Sequence, residues 1–316
     1  MARQDGMAVI SALLIAAVVA VIAAGMIERQ GLLTRQLENR QLAVQGQWAL
    51  QGGLQLSRQL LAEQRQRDPL VRAGQPWTRP LPDMAAGNVV FGGQLEDEQG
   101  KFNLRNLVVD GRVDAEALAT FQRLCGLIGV DARLASAISE RVIDSYPRQP
   151  ATPVASQQAG FDSGRLTSPA SASTPLPARQ PMAGSLDAFA SLKGMNTQSM
   201  QRLRRFVTLL PALTWVNGNT ASAEVLAAQV PGLSLQQAAA LVAERDGGRW
   251  FVNRGDFVNR LRMPQLAQAN VRVGINSDWF RLHGQARQGQ RVLRMQALLR
   301  QREGRLPDVV WTRVGA

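Results

Sequence analysis

Covalent or acid–base chemistry needs nucleophiles, bases and metal ligands brought close together, and this chain supplies few of them. It has one cysteine, Cys125, and one histidine, His283, separated by most of the folded part of the sequence. A single cysteine forbids an intrachain disulfide. A nucleophile–base pair usually needs a histidine, and a zinc site needs three or four Cys, His or carboxylate ligands. Cys125 therefore reads as a small buried apolar residue and His283 as a surface strand residue. The densest carboxylate group is Glu96-Asp97-Glu98. Paired carboxylates could serve a hydrolase, but three in a row beside Gln99-Gly100 read as a solvated hairpin loop. No enzymatic activity is expected.

The elements that position these residues begin with an anchor. From Met7 to Ile27 the chain runs MAVISALLIAAVVAVIAAGMI without a charge, long enough to cross a hydrocarbon core as a helix and too long for the apolar part of a secretory signal. Past Glu28 the helical pattern continues. Leu33, Leu37, Val44 and Trp48 recur at spacings of four, seven and four, and Leu50, Leu54 and Leu61 carry the apolar stripe on toward a partner. Asp68-Pro69 ends the helix, because proline lacks an amide and disfavours helix for the residue before it.

A six-residue leader ending in Gly6, an abrupt apolar run and a long amphipathic continuation resemble a type IV pilin or pseudopilin precursor. The resemblance implies cleavage between Gly6 and Met7 by a prepilin peptidase and N-methylation of Met7. In that family the fifth residue after the cut is usually Glu; here it is Ser11. A carboxylate in hydrocarbon is costly without a charge partner, so its absence is informative. Among pseudopilins the K class of the type II secretion system characteristically lacks it, which fits a tip subunit with no neighbour above.

Downstream, Asn88–Leu107 reads as a β-hairpin turning at Gln99-Gly100, and LEDEQGKFNLRNL resembles the hairpin of the K class. The apolar period then changes, giving two helices broken at Gly129-Val130-Asp131. Residues 147–181 hold seven of the fifteen prolines among Ser, Ala, Thr and Gln, and read as a flexible excursion. Helices resume over Ser185–Leu192 and Thr197–Leu210. VNGNTASAEVLAAQVPGLSLQQAAALVAER, from Val216 to Arg245, is a helix-hairpin-helix pattern, and FVNRGDFVNRL closes the helical unit. Strands end the chain.

The formal charge of +12 rests on 36 Lys plus Arg against 24 Asp plus Glu, and Lys occurs only at Lys101 and Lys193. That balance suits nucleic acid, anionic lipid or acidic proteins. The hairpin resembles those of competence-type DNA receptors, so a membrane-anchored DNA-binding and uptake protein is the alternative. Yet Ser234 replaces the second hairpin glycine, and Gln236 and Gln237 stand where a phosphate clamp would favour Lys or Arg. A protein scaffold is the better reading, with no nucleic acid expected. Some K-class members hold calcium in the helical domain, and here Asp144 and Asp162 are the candidate ligands that remain, where calcium wants six to eight oxygens. No other cofactor is implied.

The expected fold is therefore α+β: a long N-terminal transmembrane and amphipathic helix packed on an antiparallel sheet, the pseudopilin fold, with a large inserted α-helical domain containing a helix-hairpin-helix-like unit. The expected segments are a leader over 1–6, a membrane part over 7–27 and a soluble helical part over 28–68. A hairpin region over 69–112, the inserted domain over 113–269 and strands over 270–316 complete them. The resemblance implies a minor pseudopilin at the tip of the type II secretion pseudopilus. It would partner the I and J minor pseudopilins, the major pseudopilin filament and the prepilin peptidase, single-pass in the inner membrane with its bulk in the periplasm.

Overall fold

The computed structural model describes residues 5–147, 176–266 and 271–315, without the side chains of 5–9, 31–40, 42 and 43. Most of the proline-rich segment, Asp162 included, lies outside the described residues.

Helix α1 runs unbroken from Asp5 to Arg67, 63 residues or about 95 Å. Over Ile10–Gln30 its mean hydropathy is 2.8 and none of it is buried within the protein. An apolar helix bare on every side is at home in lipid. Asp68 closes it, its amide bonding Gln64 O at 2.9 Å and its carboxylate accepting Leu70 N at 3.0 Å.

The soluble end of α1 lies on a five-stranded sheet: β1 (Leu81–Ala86), β2 (Val89–Asp97), β3 (Trp279–Gln288), β4 (Arg291–Arg302) and β5 (Arg305–Gly315). The order is β1-β2-β3-β4-β5 and every pairing is antiparallel. Two-residue turns join β1 to β2, β3 to β4 and β4 to β5, each with a glycine at positive φ, Gly87, Gly289 and Gly304. Leu50, Leu54 and Leu61 are buried against Phe91, Leu95, Leu282 and Ala297. A Cβ on Gly53 would sit 2.0 Å from the Phe91 ring, so only glycine lets the helix come this close. Arg58 Nε donates to Pro307 O at 2.7 Å and Gln301 Nε2 to Leu61 O at 3.2 Å, pinning the helix to the sheet.

The expected hairpin over Asn88–Leu107 is a correction. β2 does end at Asp97, but the chain turns through Glu98–Gly100 and leaves the sheet, and Phe102-Asn103 pairs in parallel with Val207-Thr208. The other neighbour of β2 is β3, with Asp97 opposite Phe280. Everything between Asp97 and Trp279 is inserted between adjacent strands of one sheet.

The insertion is helical: α2 (Ala115–Leu127), α3 (Ala132–Ile143), α4 (Thr197–Phe206), α5 (Ala223–Gln229), α6 (Leu235–Asp246) and α7 (Arg254–Leu261). Each opens on a side chain that accepts from its first turn, namely Asp114, Asp131, Asn196, Ser222, Ser234 and Asn253. Gly129, at φ +68°, provides the break between α2 and α3. Over Ser185–Leu192 there is only a 3₁₀ turn, Leu186–Phe189, because apolar residues three apart suit that tighter period as well as an α-helix. α4 stops at Phe206, four residues short of the expected end, because Val207-Thr208 pairs with Phe102-Asn103. The core of this unit, with Phe121, Leu124, Phe189 and Phe257, also takes in Phe102, Leu104, Leu107 and Val108 before residue 113 and Val271 and Val273 after 269. Its packing thus reaches beyond the span periodicity suggests.

Candidate assembly interface

α1 has two faces. At about 100° per residue, Leu50 and Trp48 point to opposite sides of the helix, while Val44 and Trp48 share one. The structure separates them accordingly. Leu50, Leu54 and Leu61 are 1–3% exposed on the sheet side, whereas Val44 is 50% and Trp48 71% exposed. The expected continuous stripe is therefore corrected to two. Leu33 and Leu37 fall on the Trp48 side by spacing, and their side chains lie outside the described residues. A groove of about 360 Å³ runs between the helix and the end of the sheet, lined by Trp48, Leu50, Met295, Thr312 and Val314. Nearer the N-terminus, Gly6 and Met7 lie on the first turn of α1, and Ser11 is exposed within the apolar span.

Two of the three carboxylates, Asp97 and Glu98, are buried, which corrects the expectation of a solvated loop. Asp97 is buried, its Oδ2 accepting from Ser277 Oγ at 2.6 Å, Thr220 Oγ1 at 2.6 Å and Asn217 Nδ2 at 3.1 Å, and its Oδ1 from Gln99 N at 2.8 Å. Asn217 Nδ2 also reaches Val71 O at 2.9 Å, so one cluster ties the linker after α1, the end of β2, the helical unit and the entry to β3. Burial raises the Asp97 carboxyl against these hydrogen bonds. Glu98, fully buried, takes Lys101 at 3.1 Å, Arg281 at 3.0 Å and the Thr208 hydroxyl. Glu96 lies 2.8 Å from Lys101 and 3.3 Å from His283. Burial alone would raise Glu96, but the hydrogen bond with His283 and the Lys101 ammonium prevail and bring it down to about 2. The triplet braces a junction where an apolar core would otherwise be expected, and each buried charge has its partners.

The other chemistry-bearing residues are engaged as well. Cys125 is buried in the helical core, where desolvation pushes its thiol up to about 12. Asp144 Oδ1 lies 3.9 Å from Arg179 and its carbonyl accepts from Arg179 N and Gln180 N. Among the described residues no three Asp, Glu, His or Cys gather as a metal site.

The helix-hairpin-helix turn is engaged within itself. Gly232 adopts φ +81°, as the motif requires, but Ser234 N donates to Gln237 Oε1 at 3.0 Å and Gln237 N to Ser234 Oγ at 3.2 Å. This capping box occupies amides that a phosphate would need. Four arginines of the unit donate to backbone carbonyls: Arg123 to Ala228, Arg202 to Gly129, Arg245 to Gly218 and Ala221, Arg260 to Arg249. Part of the unit's positive charge thus caps backbone.

A lipid-spanning helix continuing onto an antiparallel sheet, with one apolar face left open, defines a pseudopilin. The inserted helical unit narrows the class further. Two family profiles described as "Type II secretion system (T2SS), protein K" match residues 100–212 and 216–276. The Type II secretion system protein K of Pseudomonas aeruginosa is 30% identical over 303 residues, covering 91% of this chain and 86% of the relative. The chain belongs to the type II secretion system protein K family and is a minor pseudopilin of type II secretion. The fold also matches a crystal structure of the GspK-GspI-GspJ complex from enterotoxigenic Escherichia coli. The TM-score is 0.60 at 18% identity, over 90% of this chain and 99% of that one.

Proposed function

We propose that this chain sits at the tip of the pseudopilus, where it joins minor pseudopilins of the GspI and GspJ classes, nucleates the filament and caps it with its helical unit. The observation that carries this reading is the open face of α1, with Trp48 71% and Val44 50% exposed opposite a tightly packed sheet side. Exposed apolar residues on a helix that continues out of a membrane call for another apolar helix. The relative solved together with GspI and GspJ suggests whose helices these are. On this reading the prepilin peptidase cuts between Gly6 and Met7, Met7 is N-methylated, and Ser11 replaces the glutamate that a shaft subunit would need. The protein has no active site, is anchored once in the inner membrane, and holds residues 28–316 in the periplasm as a pseudopilin body interrupted by the helical unit inserted between Asp97 and Trp279. The closed hairpin of Ser234 and Gln237 argues against the DNA-uptake alternative.

The test is co-purification. The full-length chain, extracted in detergent with I-class and J-class subunits, should elute as a stoichiometric complex, and its deletion should stop secretion. A chain that elutes alone, or a strain that secretes normally without it, retires the proposal.

A further inference from the structure

The two edges of the sheet are built differently. β1 is six residues long, includes Pro82 and Asp83, and its register slips between Leu81 and Met84, leaving Met84–Ala86 in regular pairing. Short length, proline, charge and a bulge all discourage an edge from recruiting a strand. β5 is eleven residues long, and its one proline, Pro307, is buried and tied to Arg58 near the start. A bulge at Val310 is followed by Trp311–Gly315 in unbroken register with β4. That stretch reads WTRVG, exposed for most of its length, and among the described residues no strand pairs with its outer side.

The two faces at this edge differ in chemistry. Thr312 and Val314 line the apolar groove beside Trp48 and Met295. Arg313 and Trp311 look the other way, in rows with Gln296 and Leu298 of β4 and His283 and Arg281 of β3. Residues 279–315 carry eight arginines against two acids, Glu303 and Asp308.

We infer that the edge of β5 over Trp311–Gly315 accepts a strand from a neighbouring subunit, a segment of about five residues alternating apolar and acidic side chains. Its backbone completes the hydrogen bonds the edge leaves open. Its apolar residues enter the groove against Trp48, and its acidic ones face Arg313, which lies 3.7 Å from Asp187 and can be shared with them. The groove joins this edge to the open face of α1, so a partner laid on that helix brings its own sheet within reach. This inference rests on the assembly reading above.

The test is hydrogen–deuterium exchange on the full-length chain in detergent, alone and with I-class and J-class subunits. Alternate amides of Trp311–Gly315 should slow at least tenfold in the complex. The Val314→Lys variant, whose exposed position leaves folding intact by circular dichroism, should weaken the complex at least tenfold. If the complex forms but these amides exchange as before, the inference fails and the assembly reading stands. If no complex forms, both fail. If the chain alone protects this edge as a dimer on sedimentation, the occupant is a second copy and the inference is overturned.

Discussion

The junction at Asp97 and the outer face of α1 invert the usual rule in opposite directions. The junction buries carboxylates where an apolar core would be cheaper to build, and the helix leaves tryptophan and valine in the open. Buried polar groups demand fixed partners and so specify one arrangement, here the seating of a helical unit between two strands. Exposed apolar groups demand a partner from elsewhere. Local rules are broken where a molecule must hold itself in register or be held by another.

The first way to break the comparison is to empty the junction. Asp97→Ala takes the acceptor from the Ser277 and Thr220 hydroxyls and from Gln99 N in a buried site, while Asn217 Nδ2 keeps Val71 O. Unsatisfied buried donors cost roughly 1–3 kcal/mol each, and partial rehydration should hold the total near 3 kcal/mol. Urea unfolding monitored by circular dichroism measures it, and a loss below about 1 kcal/mol would mean the cluster does not hold the units together.

A somewhat smaller loss is expected on the packed side of the helix. Gly53→Ala puts a methyl into the Phe91 ring and should cost about 2 kcal/mol. Gly52→Ala, next in sequence, meets nothing within 4 Å and should be neutral or stabilising by roughly 0.5–1 kcal/mol, since alanine favours helix over glycine. Equal melting temperatures for the two variants would show that the contact is soft.

What could be read from the sequence was what is local. The apolar run, the Asp68-Pro69 stop and the break at Gly129 each act within a few positions, and the structure has them. Pairing between distant strands was not legible. Alternation at Leu95 and Phe102 suits a hairpin as well as a strand that leaves its sheet, and nothing in LEDEQGKF says that Phe280 is the partner of Asp97. The triplet misled because charge runs are normally solvated, and only burial of Glu98 against Arg281 reveals a brace. On α1, Val44 and Trp48 were found by spacing, but Leu50 was joined to them although two residues along a helix cross to its other side.

The junction also responds to acid. Glu96 is held down to about 2 from an ordinary value of 4.5 by His283 and Lys101 against its own burial. A carboxyl lowered in the folded state contributes stability above its unfolded value, and that contribution fades as pH falls from about 4.5 toward 2. Because the Glu96 side chain is 43% exposed, screening reduces the effect to about 1 kcal/mol. Glu96→Gln should flatten the stability profile in this window. An unaltered acid limb would assign it to other carboxylates.

The smallest loss of stability belongs to a residue open to solvent. Trp48 is 71% exposed and packs little, so Trp48→Ala should change unfolding free energy by less than about 0.5 kcal/mol. An exposed tryptophan buried on assembly is a typical hot spot, and its loss should weaken the complex with I-class and J-class subunits by about 2 kcal/mol, some thirtyfold. Leu50→Ala, 1% exposed at the floor of the groove, should do the reverse, costing about 3 kcal/mol of stability while weakening association much less than Trp48→Ala does. The two variants lie two residues apart on one helix, so any general damage to α1 would affect both measurements in both. Only a helix with a closed face and an open one separates them. If Trp48→Ala binds its partners as tightly as the parent chain, the open face of α1 is not where assembly occurs.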